Sequence, residues 1–371
     1  MRLLVTGGGT GGHIYPALAI AQNALAKGVA EAVLFVGAAG GMEERLVAAA
    51  GLPLRTLPTS GLVRKRPLEV ARGLWALGAA FHQAVGIIGE FHPDVVVGTG
   101  GYAAGPVGLA AGWCRCPLVL QEQNAIPGVT NRALARFAAG VAVPFAEARH
   151  HFPAGARLTV TGNPVRPEVG ALSREEGRRR LGVPAGPLVL VVAGSRGSAV
   201  FTRLFAELAP LWRGATLLFV SGAAHHAAAQ RALGDTPGLV RLVPYLEDMP
   251  AGLAAADLVV CRAGAMTLAE LATAGRPAIL IPSPHVTHHH QEANARVFAR
   301  AGAAQVLPED GLTGRRLQAA IAGLLGEPAR LRAMAEGARG MARPQALDDI
   351  VALVEAAGRR RSRGRSFRTP A

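Results

Sequence analysis

The sequence predicts an α/β protein made of two parallel-sheet domains, and three observations predict it. Short β-branched runs alternate with Ala/Leu-rich stretches of helical length, the pattern of a parallel sheet wrapped by helices. The strand-length runs are continuously apolar, as strands buried on both faces must be. The pattern also begins twice, each time with a strand, a Gly-containing loop and a helix. The chain has 371 residues, half of them hydrophobic. That is more than one core usually serves, which again points to two domains.

In chain order, the first half places strands at residues 3–6, 33–36, 94–98, 118–120 and 141–143, with helices at 14–27, 42–50, 68–89 and 105–111. The second half restarts with a strand at 188–192, the loop Ala193-Gly194-Ser195-Arg196-Gly197 and a helix at 199–208. Further strands are expected at 216–220, 240–243, 258–260, 278–281 and 304–306, with a helix at 265–274. Between the halves, Thr161-Gly162-Asn163-Pro164-Val165-Arg166-Pro167 is broken by proline and suits a linker. Ligands of open parallel sheets bind at the carboxyl ends of the strands. The expected arrangement is therefore two Rossmann-like domains facing across a cleft, residues 1–162 and 163–343.

Composition narrows the function class. Three cysteines, Cys114, Cys116 and Cys261, carry no zinc spacing and fit a reduced, cytosolic protein. The amino terminus runs directly into a strand and lacks the pattern of a signal peptide. No stretch reads as a membrane span; the best candidate, residues 73–89, is short and contains His82 and Gln83. The net charge is +14, and Arg359, Arg360, Arg361, Arg363, Arg365 and Arg368 contribute six of the positive charges. Residues 359–371 are expected to be a disordered, solvated tail. A weak pull toward an anionic membrane surface is the functional alternative, and nucleic acid is not an expected partner.

The richest motif is Gly7-Gly8-Gly9-Thr10-Gly11-Gly12-His13, directly after the first strand. Glycines let backbone N–H groups close on a bulky anion, and the following helix points its positive end at the same spot. His13 falls in the first helical turn, beside such a ligand. Gly7-x-Gly9-x-x-Gly12 matches a dinucleotide fingerprint in letters, but strand two ends Phe35-Val36-Gly37-Ala38-Ala39 without the ribose-binding carboxylate. A phosphate-binding P-loop also fails, since His13 and Ile14 stand where Lys and Ser/Thr belong.

Several segments then resemble one family in the same order along residues 2 to 355. They are Gly8-Gly9-Thr10-Gly11-Gly12-His13, Gly98-Thr99-Gly100-Gly101-Tyr102, Glu122-Gln123-Asn124, Thr161-Gly162-Asn163-Pro164-Val165-Arg166, the run from Cys261 to Glu270, and Gln291-Glu292-Ala293-Asn294-Ala295. The chain resembles the MurG family of bacterial cell-wall N-acetylglucosaminyltransferases, which have the GT-B fold. The resemblance implies transfer of N-acetylglucosamine (GlcNAc) from UDP-GlcNAc to the C4 hydroxyl of muramyl-pentapeptide on undecaprenyl diphosphate. That step of peptidoglycan synthesis turns lipid I into lipid II and inverts the anomeric centre. It further implies a last helix near 344–358 packing back on the first domain, the lipid acceptor bound by the first domain and UDP by the second.

The resemblance also implies residue roles. His13 is the candidate base, of a type that titrates near neutral pH; Glu122, at a strand's end, is the rival, with a loop-holding salt bridge or cap as its alternative. Thr10, Gly11, Gly12 and Asn124 contact the donor. Glu270 takes the ribose diol, a task suited to a carboxylate. Ala265, Met266, Thr267 and Ser195 meet the diphosphate, Arg166 the diphosphate or the hinge, Leu246 the uracil edge and Gln291 a sugar hydroxyl, with His290 as the adjacent alternative. Gly100, Gly101 and Tyr102 face the acceptor diphosphate. No cofactor or metal is expected; His285, His288, His289 and His290 read as a loop and helix start. The sequence departs from the family at Gln121, where His is frequent, at Ala263 in place of Ser, and at Arg196 in the second loop.

A lipid acceptor calls for a membrane-facing surface. Leu62-Val63-Arg64-Lys65-Arg66 precedes a helix bearing Leu74, Trp75, Leu77, Phe81, Val85 and Ile88, and Trp113 adds an anchor. Part of that stripe is expected in the core and part toward lipid. The alternative functions are another GT-B UDP-sugar transferase, a UDP-GlcNAc 2-epimerase of the same architecture, or a binding protein without turnover.

Overall fold

The structure is a computed structural model and describes residues 1–59, 67–194, 197–234 and 240–366. The chain divides into two compact units, Met1–Pro164 with Gln345–Ala371, and Val165–Pro344.

The first unit runs β1 (Arg2–Thr6), α1 (Gly11–Ala26), β2 (Ala32–Ala38), α2 (Met42–Ala49), β3 (Leu54–Leu57), α3 (Pro67–Phe91), β4 (Val95–Gly98), α4 (Ala104–Trp113), β5 (Leu118–Gln121), α5 (Val129–Leu134), β6 (Gly140–Val143) and β7 (Leu158–Val160). Its seven strands lie in the order β3-β2-β1-β4-β5-β6-β7, all parallel. The continuously apolar strands follow from burial on both faces. Leu4, Leu34, Val36, Val96, Leu118 and Leu120 pack into one core layer with Ala80, Ala84 and Val107 of α3 and α4. Their neighbours Leu3, Val5, Val33, Phe35, Val95 and Val97 face the other layer with Ile14, Ala17 and Ile20 of α1.

The second unit runs α6 (Arg174–Leu181), β8 (Leu188–Val192), α7 (Ala199–Leu208), β9 (Thr216–Val220), α8 (Ala223–Leu233), β10 (Val240–Val243), α9 (Met249–Ala255), β11 (Leu258–Cys261), α10 (Ala265–Ala274), β12 (Ala278–Leu280), α11 (His290–Arg300), β13 (Ala304–Val306), α12 (Gly314–Leu325) and α13 (Pro328–Gly340). Its six parallel strands take the order β10-β9-β8-β11-β12-β13. Both sheets thus share one winding, in which the order reverses between the first and fourth strands, β1 and β4 in one unit and β8 and β11 in the other. Such reversal points leave crevices at the strands' carboxyl ends.

The chain then re-enters the first unit as α14 (Ala346–Ser366), which packs on α1, β4, β5 and β6. Ile350, Val351 and Val354 bury there with the α1 layer, and Gly358 sits so close to Met1 that a Cβ would come within 2.7 Å of its sulfur. This corrects the expectation of a disordered segment directly after residue 358. Residues 359–366 continue the helix, because Arg is a good helix former and Arg359 pairs with Glu355 one turn back. Residues 367–371 lie outside the described residues.

Two strands were not expected. β3 and β7 are short, carry Arg55, Thr56 and Thr159, and lie at the two edges of their sheet. Without double-sided burial they lack the apolar run that marks the central strands. α1 begins at Gly11 instead of residue 14, since the Thr10 carbonyl already accepts from His13 and Ile14 N–H.

Candidate functional site

In the first unit, three loops meet at the carboxyl ends of adjacent strands β1, β4 and β5. The β1 loop carries Thr10, Gly11, Gly12 and His13, the β4 loop carries Gly100, Gly101 and Tyr102, and the β5 loop carries Glu122, Gln123 and Asn124. The first two loops touch backbone to backbone. Gly8 N–H donates to Gly100 O at 3.2 Å, and a Cβ on Gly101, at φ +86°, would lie 2.0 Å from Gly8 O. Only glycine tolerates both that conformation and that approach. Glu43, fully buried at the start of α2, holds the same loop by accepting from Gly9 N–H at 3.0 Å. α1 has no side-chain cap and no acidic residue in its first turn, so its first-turn N–H groups are not capped by the helix's own side chains.

His13 is half-buried. Its carbonyl accepts from Thr99 Oγ1 at 2.8 Å, and its ring Nδ1 lies 2.9 Å from Gln123 Oε1. Tyr102, exposed, lays its ring against Gly9.

Glu122, the rival base, is tied into its own loop. It is 1% exposed, and its two oxygens accept from five donors: Gln123 N, Asn124 N, Asn124 Nδ2, Gly128 N and Asn131 Nδ2, at 2.9–3.2 Å. A carboxylate with its lone pairs so occupied organises the loop and presents no free face to a substrate hydroxyl. The geometry therefore favours the loop-holding alternative, with Asn124 held in place by it.

In the second unit the expected donor residues lie on the segments that follow β10, β11 and β12, with Arg166 in the stretch after the linker. Ala265, Met266 and Thr267 form the first turn of α10, which follows Gly264 without a side-chain cap. Glu270, one turn on, pairs with Arg166 at 2.9 Å. Burial raises the Glu270 carboxyl above its ordinary value, and Arg166 opposes that rise. Leu246, buried, follows β10 and packs on Gly252. Gln291, in the first turn of α11, accepts from Ser283 N–H at 2.9 Å. Ser195 and Arg196 lie outside the described residues. The rest of their loop is braced by Arg262, which donates to Ser198 Oγ at 2.9 Å and to Ile281 O at 3.0 Å, pairs with Glu309 and lies over the Phe201 ring.

The expected set thus falls into two constellations, one per unit. Glu43, Thr99, Gln123, Asn131, Asn163 and Arg262 had no expected role. All but Asn131 follow closely on a strand's carboxyl end, which was the available signal, but their deciding contacts lie far off in sequence. Among the described residues no three His, Cys, Asp or Glu side chains converge as a metal-binding group; His288 and His289 sit in left-handed turns leading into α11.

Residues 3–143 match the glycosyltransferase family 28 N-terminal domain and residues 188–350 its C-terminal domain. The chain is 44% identical to a UDP-N-acetylglucosamine--N-acetylmuramyl-(pentapeptide) pyrophosphoryl-undecaprenol N-acetylglucosamine transferase of Symbiobacterium thermophilum, over 99% of both chains. It is 45% identical to the protein of that name from Desulfitobacterium hafniense, over 95% of this chain and 98% of the relative. Acinetobacter baumannii MurG superposes with a TM-score of 0.78 at 30% identity, covering 96% of this chain and 99% of that one. The chain belongs to the MurG family of glycosyltransferases. A UDP-N-acetylglucosamine 2-epimerase from Listeria monocytogenes shares the fold alone, with a TM-score of 0.69 at 15% identity.

Proposed function

We infer that this protein transfers N-acetylglucosamine from UDP-GlcNAc to the C4 hydroxyl of lipid I, giving lipid II, in peptidoglycan synthesis. Full-length identity above 40% to relatives named for that reaction carries the assignment. In the reaction the acceptor oxygen attacks C1 of the sugar, the bond from C1 to the UDP oxygen breaks, and the hydroxyl proton passes to a base. The anomeric centre inverts in this single displacement. His13 is that base. It stands beside an uncapped helix end and the exposed Tyr102, whereas the Glu122 carboxylate is consumed by its own loop. The α10 amino terminus with Thr267 stabilises the departing diphosphate, and Glu270 holds the ribose.

The lipid acceptor is met at an apolar face on α3, α4 and the end of α5. Trp75, Leu109, Trp113, Val129 and Phe137 are exposed, and the Phe81 ring meets Trp113 edge to face. Exposed Arg115, Arg132 and Arg136 lie on the same elements or next to them, a pairing suited to an anionic bilayer. Ile88 belongs to the part of this stripe that is core. Residues 62–66 and the Leu74 side chain lie outside what is described. No described helix is long and apolar enough to cross a membrane. The proposed contact is peripheral, on the cytoplasmic face where the donor is found.

The test is transfer of labelled sugar from UDP-GlcNAc to a short-chain lipid I analogue. Turnover is expected for the native chain, with His13→Ala slower by about 10²- to 10⁴-fold, the usual contribution of a general base. Undiminished turnover in His13→Ala removes His13 as base and leaves the family assignment standing. Release of the 2-epimer without lipid acceptor would instead favour the epimerase reading.

A further inference from the structure

A neutral imidazole serves as a base only through the nitrogen that carries no proton, so the tautomer of His13 decides whether it can act. The donors and acceptors around the ring set that tautomer. The side-chain amide of Gln123, 2% exposed, has one orientation open to it. Its Nε2 faces three oxygens: Thr99 O at 2.8 Å, Gln121 O at 3.0 Å and Gln121 Oε1. Two of these are backbone carbonyls, which only accept. The third is fixed as an oxygen because Gln121 Nε2 donates to Asn163 Oδ1 at 2.9 Å, while Asn163 Nδ2 donates to Gln123 O at 2.9 Å. Reversing the Gln123 amide would set oxygen against three oxygens in a buried site. Gln123 Oε1 therefore faces His13 Nδ1, and an amide oxygen can only accept.

We propose that Gln123 is a positioning residue for the transfer: its side-chain oxygen keeps the proton of neutral His13 on Nδ1 and leaves Nε2 as the proton acceptor. This rests on the reading of His13 as the base. Among the described residues, Nε2 has no hydrogen-bond partner that would compete for its lone pair. In the reaction the acceptor hydroxyl proton goes to Nε2. The resulting imidazolium keeps its Nδ1–H bond to Gln123, so the ring need not turn between the two states. The amide carries no charge, so it orients the ring without the electrostatic pull a carboxylate would add. Gln121, one of the three positions at which the sequence departs from the family pattern, supplies two of the oxygens that lock the amide.

The tautomer is read directly by nitrogen-15 histidine NMR on the full-length enzyme, the His13 signals being those absent from His13→Gln. The expected result is Nδ1–H with unprotonated Nε2 in the native chain. In Gln123→Met, which keeps the bulk and loses the acceptor, the His13 proton is expected to move toward Nε2. The kcat should then fall about tenfold, the size of one lost neutral hydrogen bond, with the KM for UDP-GlcNAc unchanged. A native His13 bearing its proton on Nε2 overturns the proposal. So does a folded Gln123→Met with native tautomer and kcat. The native-chain tautomer is read without Gln123→Met, so misfolding of that variant does not remove the test. The base reading fails separately, through an undiminished His13→Ala, which leaves the tautomer assignment untouched.

Discussion

Two acids, Glu122 just past a strand and Glu270 inside α10, have opposite fates, and burial with its partners decides between them. Glu122 is sealed among five donors. Glu270 is desolvated with one cation, Arg166, and keeps capacity for a diol. The raised Glu270 carboxyl gives a pH prediction whose sign is definite. A group bound more tightly to its proton when folded contributes full stability below its unfolded value and loses it as pH rises through the folded one. The melting temperature of the native chain should therefore fall relative to that of Glu270→Gln as pH climbs from the ordinary carboxylate range toward neutrality. The same variant should bind UDP about 10- to 100-fold more weakly, as expected when a charge-assisted hydrogen bond is lost. A pH-independent gap in melting temperature would contradict the first expectation. Gly101→Ala is a second residue-scale case, because its φ of +86° and its approach to Gly8 O exclude a Cβ. A loss of about 1–3 kcal/mol from conformation alone, seen in chemical denaturation, should accompany reduced turnover.

At the scale of elements, the central strands and the helices between them were legible because double-sided burial writes an uninterrupted apolar run. The edge strands β3 and β7 were not, because an edge strand needs no such run. α14 was legible as a helix but not in its length; Gly358 followed by an arginine run imitates a helix end and a solvated tail. Its contribution to the first unit is testable. Ile350 is fully buried against the α1 layer, so Ile350→Ala should cost about 2–5 kcal/mol in denaturant unfolding monitored on that unit. A cost under about 1 kcal/mol would mean that the helix is dispensable to the core it covers.

At the scale of the whole molecule, charge and apolar surface act together. A chain of net charge +14 with exposed Trp75 and Trp113 should bind vesicles containing anionic lipid and largely ignore neutral ones. Added salt should weaken that binding, since the electrostatic part is screened over about 10 Å at 0.1 M. Trp113→Glu should lower vesicle binding while leaving transfer to a water-soluble acceptor analogue intact. Equal binding by the variant would exclude this face as the membrane contact.

The sequence by itself determined the class of the fold, the doubled strand-loop-helix opening and the family, because these are written in local periodicity and in short motifs read in order. It also placed His13, since a histidine beside a glycine loop is a local feature. Only the tertiary structure decided that Glu122 is enclosed by its own loop, that Glu43 clasps Gly9, and that Gln123 Oε1 faces His13 Nδ1. Those outcomes depend on hydrogen bonds between residues as far as 110 positions apart, and no local pattern encodes which buried oxygen will face which donor once the sheet has brought three loops to one edge.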